Sequence, residues 1–240
     1  MDSAFVEYPY IFGTLFISAS IAITIYFVRY ITFATFEYEG AHVLITGGSS
    51  GIGFEMAKEY VKMKSHVTIV GRNLSKLASA CSALKNFRIS PEQKISFVAL
   101  DVTSSEETVV KSLGDVVEAV GPISILVNSA GISFANQLED LKFADIDSLF
   151  RTNVIGSILP TRFVIPAMKR CRKGKVIFIA SQAAQVCIHG YTAYCASKWA
   201  LRGLAEALQM EVKPYNISIS IAYPPDTLTP GISFCFLSQF

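Results

Sequence analysis

The residues with the clearest chemical potential are Tyr194 and Lys198, in the run Tyr194-Cys195-Ala196-Ser197-Lys198. On a helix, residues four apart share one face and stack a turn apart. A free phenol ionises near pH ~10. An ammonium beside it favours the phenolate and makes the group fit for proton transfer near neutrality. Tyr191 is a second phenol nearby, but about two turns separate it from Lys198, too far for the same pairing. Ser197 reads as a helix residue with no chemical part. Ser181 ends the apolar run Lys175–Ala180, where a hydroxyl could hold a carbonyl oxygen. Asn153 opens a long helix expected from Thr152 to Arg172. Each feature is common alone; their order and spacing together are specific.

A second constellation lies upstream. Thr46-Gly47-Gly48-Ser49-Ser50-Gly51-Ile52-Gly53 follows one apolar run and opens a predicted helix. A helix N-terminus offers unpaired N–H groups to a phosphate, and glycines allow a pyrophosphate to approach the backbone closely. The candidate contacts here are Gly47, Ser49, Ser50, Gly51 and Gly53. The second apolar run ends in Val70-Gly71-Arg72-Asn73. An NAD-selective site would put an acid there for the ribose 2′-hydroxyl. Arg72, with Lys76, instead suits a 2′-phosphate, so NADPH is the expected cofactor. Asp101 ends the third run, where it could bond an adenine amino group or cap the following turn. Asn128-Ser129-Ala130-Gly131 ends the fourth, with small residues along the cofactor's path.

These residues need a scaffold that brings strand ends together. Strands are predicted at Ala41–Thr46, His66–Gly71, Lys94–Leu100, Ile123–Asn128, Lys175–Ala180 and Ile217–Ala222. Helices are predicted at Phe54–Lys64, Leu74–Asn86, Ser104–Val120 and Tyr191–Val212, the third capped by Ser104 with Glu107. Pro160 and Pro166 predict a kink or break in the helix over 152–172. Strands that are apolar throughout are buried on both faces. The expected fold is therefore α/β: a doubly wound, Rossmann-like parallel sheet of about six strands behind an N-terminal apolar helix.

Composition narrows the function classes. The 240 residues carry a net charge of +2, which gives no footprint for nucleic acid. With 51% hydrophobic and 17% charged residues, a disordered chain is excluded. Five cysteines without a CxxC pair and three scattered histidines argue against a disulfide framework or a metal site. Residues 1–36 hold only Asp2, Glu7 and Arg29 as charges, and Tyr8–Val28 holds none. That run is long enough to span roughly 30 Å of hydrocarbon as a helix, so a membrane anchor over 1–36 is expected. A cleaved signal peptide fits less well, because no basic residue precedes the run. Arg29 on its far side favours a cytosolic remainder.

Taken together, the glycine turn, Asn128-Ser129-Ala130-Gly131 and the set Asn153, Ser181, Tyr194 and Lys198 resemble the short-chain dehydrogenase/reductase family over Ala41 to about Gly231. By that resemblance, residues 40–231 form an NADP-binding reductase domain. It implies that the tyrosine protonates a nascent alkoxide and the serine orients the carbonyl. The lysine would hold the nicotinamide ribose and tune the tyrosine, and the asparagine would support a water relay. The stretches Arg202–Asn216 and Ala222–Thr227, with Pro225 for the wider family's glycine, resemble its branch acting on sphingoid ketones. This implies reduction of 3-oxosphinganine to sphinganine at the cytosolic face of the endoplasmic reticulum membrane, a lipid substrate and a membrane as partners, with a homo-oligomer left open. A steroid or retinoid reductase and a non-catalytic nucleotide-binding form remain alternatives. Ile232–Phe240 departs from the family continuation and reads as an atypical apolar tail. Cofactor binding should survive that departure better than turnover.

Overall fold

The computed structural model describes residues 7–31 and 36–227. The apolar tail expected over 232–240 lies outside the described residues. The chain divides into two compact units at Glu37–Tyr38. The first contains helix α1 (Glu7–Ile31). Its described side chains, 13–26, are all exposed. Ser18 and Thr24 turn their hydroxyls back onto the Leu15 and Ser20 carbonyls of the same helix. Among the described residues, no helix is long and apolar enough to cross a membrane. The expected membrane-spanning helix is thus not supported among the described residues.

The second unit is a six-stranded parallel sheet: β1 (His42–Thr46), β2 (His66–Gly71), β3 (Ile95–Ala99), β4 (Ile125–Asn128), β5 (Gly174–Ile179) and β6 (Ile217–Ala222). The strand order is β3-β2-β1-β4-β5-β6. It reverses direction beside β1, the crevice position where such sheets bind ligands. Register aligns Thr46 with Val70 and with Asn128, and Ile179 with Ala222, so the carboxyl ends share one edge.

Helices α2 (Gly51–Lys62), α3 (Leu74–Lys85), α4 (Glu106–Val120), α5 (Phe143–Phe150), α6 (Gly156–Cys171) and α7 (Thr192–Val212) flank the sheet. Successive strand residues face opposite sides. Leu44, Leu126, Val176 and Phe178 thereby join Leu113 and Val116 of α4, Val164 and Met168 of α6, and Leu201 of α7 in one buried core. Removing a side chain such as Leu126 would cost about 2–5 kcal/mol, because the cavity cannot fully collapse.

Two local expectations are corrected. The cap of α4 is Ser105, whose Oγ accepts from the Thr108 N–H, and not Ser104. The prolines do not break α6; the irregularity is a π turn over Arg151–Ile155, upstream of both. Thr161 and Ser157 donate their hydroxyls to the carbonyls four residues back, Ser157 and Asn153, and so supply polar contacts near Pro160.

At the opposite end of the sheet, His42 is buried across β1 and β2. Its Nδ1 lies 2.7 Å from the Gly121 carbonyl and its Nε2 2.9 Å from Thr68 Oγ1. A carbonyl only accepts, so Nδ1 carries the proton and Nε2 accepts from Thr68. Burial lowers the His42 pKa from 6.5 to about 4. The folded chain keeps it neutral while the unfolded chain would protonate it. This contribution is complete above pH 6.5 and is lost as pH falls toward 4, by roughly 3 kcal/mol in all. Chemical denaturation at pH 7 and 4.5 should therefore show a smaller acid loss for His42→Asn than for the parent chain; equal losses would contradict this assignment.

Candidate active site

The glycine turn is built by close backbone approach. Gly47 adopts φ +69°, and a Cβ there would lie 2.9 Å from the Ala130 Cα. A Cβ on Gly53 would lie 2.5 Å from the Gly47 carbonyl oxygen. Thr46 Oγ1 accepts from the N–H groups of Ser129 and Ala130, at 3.1 and 3.2 Å, which ties this turn to the end of β4. The N-cap of α2 is Ser50, whose side chain makes no cap hydrogen bond, and no acid occupies the helix's first turn. The N-terminal N–H groups of α2 are thus suited to an anionic ligand.

At the other end, Tyr194 and Lys198 lie on α7 as the spacing predicts. Lys198 Nζ is 5.6 Å from the centre of the Tyr194 ring and donates to the Ile179 carbonyl at 3.1 Å. The lysine is 5% exposed, and this burial lowers its pKa from 10.5 to about 8. At neutral pH it remains an ammonium beside the phenol. Tyr191 packs edge-on against Tyr194, with ring centres 5.9 Å apart.

The π turn explains how Asn153 reaches this place. The wider turn aligns a residue that regular helix would direct elsewhere, and such bulges often occur at functional sites. Asn153 Oδ1 accepts from the Ile132 N–H at 2.8 Å, and Nδ2 donates to the Ile132 carbonyl at 3.0 Å and to Ser197 Oγ at 2.9 Å. Ser197 in turn donates to the Tyr194 carbonyl at 2.7 Å. A Cβ on Gly131 would lie 3.3 Å from Asn153 Oδ1 and 3.4 Å from Lys198 Nζ. Asn153, Gly131 and Lys198 therefore meet under the Ile132 backbone.

One cavity of about 410 Å³ joins both ends. Gly47, Ser49, Ser50, Gly51, Gly53, Arg72, Asp101, Ser181, Tyr194 and Lys198 all line it, as the sequence anticipates. Arg72 lies 3.8 Å from Asp101 across the mouth. Asp101 also takes the turn role, accepting from the Thr103 N–H and hydroxyl. Ser181 Oγ accepts from the Ala183 N–H at 3.2 Å.

Three expected residues are not on the cavity lining. Lys76 lies on α3 and is not part of the cavity lining. Asn128 is buried beneath it and donates to Thr161 Oγ1 at 2.9 Å. Asn153 likewise supports the lining from below. Sequence reasoning missed Ser197, whose bond to Asn153 depends on the π turn. It also set Tyr191 aside, although Tyr191 lines the cavity beside Ile132 and Ile188.

The family model for short chain dehydrogenases matches residues 41–233, and the chain belongs to that family. Membership of this family implies a nicotinamide dinucleotide as cofactor. The cradle fits such a group: glycines where side chains would collide, uncapped α2 N–H groups and a buried ammonium on the cavity wall.

Among curated relatives, the chain is 46% identical to the 3-ketodihydrosphingosine reductase of Bos taurus, over 81% of this chain and 58% of that protein. It is 44% identical to the 3-dehydrosphinganine reductase of Danio rerio, over 82% and 59%. The chain thus spans somewhat over half the length of these relatives. A solved short-chain dehydrogenase from Streptomyces avermitilis superposes with a TM-score of 0.73 at 30% identity, over 80% of this chain and 68% of that one. An NAD+-bound xylitol dehydrogenase gives 0.74 at 25% identity, over 79% and 71%.

Ser197→Ala would leave one buried Asn153 N–H without its acceptor. We expect a loss of about 1–2 kcal/mol in chemical denaturation; a change below a few tenths would show that this contact adds nothing to the fold.

Proposed function

We propose that the chain reduces 3-ketodihydrosphingosine (3-oxosphinganine) to sphinganine with NADPH. The observation that carries this reading is the Tyr194–Lys198 pair in the cavity that the glycine turn also lines, in a chain 46% identical to a named 3-ketodihydrosphingosine reductase.

When bound, the reduced dinucleotide supplies the hydride that the ketone carbon accepts. Tyr194 gives its phenolic proton to the carbonyl oxygen, so the ketone becomes a secondary alcohol. Lys198 favours the phenolate left behind, and its remaining N–H donors suit ribose hydroxyls. Ser181 orients the carbonyl oxygen. Asn153 acts indirectly, by holding the Ile132 backbone and, through Ser197, the Tyr194 turn. Ile132, Ile188 and Tyr191 give the wall an apolar surface for the alkyl chain.

The choice of NADPH is supported by Arg72 on the cavity lining and by the absence of an acid in the β2-terminal segment Val70–Asn73. A 2′-phosphate there would gain charge-assisted bonds from the guanidinium. The proposed location is the cytosolic face of the endoplasmic reticulum membrane, with α1 as the attachment. Supporting this are the uncharged run Tyr8–Val28, the exposed Leu15, Phe16, Ile17 and Ile21, and hydroxyls that bond within the helix. A long-chain base partitions into a bilayer at about 0.8 kcal/mol per methylene, so an attached enzyme meets its substrate there.

The direct test follows nicotinamide absorbance with purified chain, NADPH and 3-oxosphinganine. Turnover should fall at least about a hundredfold in Tyr194→Phe, the usual scale for removing a general acid, while NADPH binding persists. Loss of NADPH binding instead would make the phenol structural. Arg72→Ala should weaken NADPH by roughly tenfold or more, with little effect on NADH; equal effects on both would contradict a 2′-phosphate contact.

A further inference from the structure

We infer that Asp226 is a specificity-determining residue, the counter-charge for an ammonium on the ketone substrate. The inference rests on the proposed function, since a sphingoid ketone carries its amine on the carbon next to the carbonyl. An enzyme reducing it has to accommodate a cation close to its catalytic tyrosine.

Among the described residues, the charged ones lining the cavity are Arg72, Asp101, Lys198 and Asp226. Arg72 and Asp101 face each other at the glycine-turn end. Lys198 is committed to Tyr194 and the Ile179 carbonyl. Among the described residues, Asp226 is therefore the carboxylate left near Ser181, and it has no hydrogen-bond or ion-pair partner there.

The backbone fixes where it sits. The register of β5 with β6 ends at Ile179 opposite Ala222, and the Ala180 N–H donates to the Ala222 carbonyl at 2.9 Å. One step on, the Gln182 N–H donates to the Pro224 carbonyl at 3.1 Å. The segment Pro224–Thr227 thus runs alongside Ser181, with Asp226 two residues past the last contact. Two successive prolines have fixed φ, and Thr227 donates its hydroxyl to the Pro225 carbonyl at 2.8 Å, so Asp226 stands at a stiffened turn. Asp226 is exposed, and a positioned carboxylate without a partner favours a cation over a neutral analogue that offers it no charge.

The test compares sphinganine with N-acetylsphinganine, which carries a neutral amide in place of the amine. Equilibrium binding of each to the full chain with NADP+ is measured by calorimetry in dilute detergent, separately from NADPH oxidation. The parent chain should prefer sphinganine by roughly tenfold, the scale of one partly exposed charge-assisted bond. Asp226→Asn should abolish the preference, and Asp226→Glu should keep part of it; thermal melting of each variant checks that the turn survives. A preference that persists in Asp226→Asn, or that is absent from the parent chain, overturns the inference. If the parent chain shows the Asp226-dependent preference yet oxidises no NADPH with 3-oxosphinganine, the proposed reaction fails and the cation site stands.

Discussion

The site depends on one buried charge. Lys198 is held out of water beside Tyr194, with the Ile179 carbonyl as its hydrogen-bond acceptor. Desolvation alone accounts for its lowered pKa; no carboxylate contributes. A fall from 10.5 to about 8 corresponds to roughly 3 kcal/mol of folding stability, given up at every pH below 8 and recovered as pH rises toward 10.5. A surface lysine would avoid that cost. Here the cost keeps a positive charge in a low-dielectric place, where its effect on a neighbouring phenol is strongest.

The rest of the fold can be understood as support for that charge. β5 delivers the accepting carbonyl, and α7 delivers both the ammonium and the phenol. The π turn brings Asn153 under Ile132, and Ser197 links it to α7. The wide core of β1, β4 and β5 against α4, α6 and α7 offsets the local penalty. At the other end, the same sheet edge presents the glycine turn, tied by Thr46 to the backbone before Gly131. Both ends of the cavity are thus anchored to strand ends that register sets to within one residue.

Much of this is legible in the residues. Six apolar runs mark the six strands: β1, β2, β4 and β5 are buried along nearly their whole length, while the edge strands β3 and β6 are only partly buried. Glycine at 47 and 53 is required by the close approaches there, and the Tyr194–Lys198 spacing follows from helix geometry alone. What escaped depends on geometry that sequence spacing does not encode. A π turn shifts residue directions without any fixed composition, so neither the Ser197–Asn153 bond nor the irregularity at residues 151–155 is legible in the spacing. Lys76 shares a cationic neighbourhood with Arg72 in sequence, yet its place on α3 takes it away from the lining. Asn128 belongs to a recognisable motif, but its side chain reaches down to Thr161. The amino-terminal run looks sufficient to cross a membrane by length and lack of charge, whereas no described helix meets that requirement.

The most direct measurement is the titration of Lys198 itself, followed by the 13Cε resonance of labelled lysine and assigned with Lys198→Arg. A midpoint near 8 is the predicted result, against the ordinary 10.5. A midpoint at the ordinary value would mean that the ammonium is solvated, and the buried-charge account of Tyr194 would be wrong.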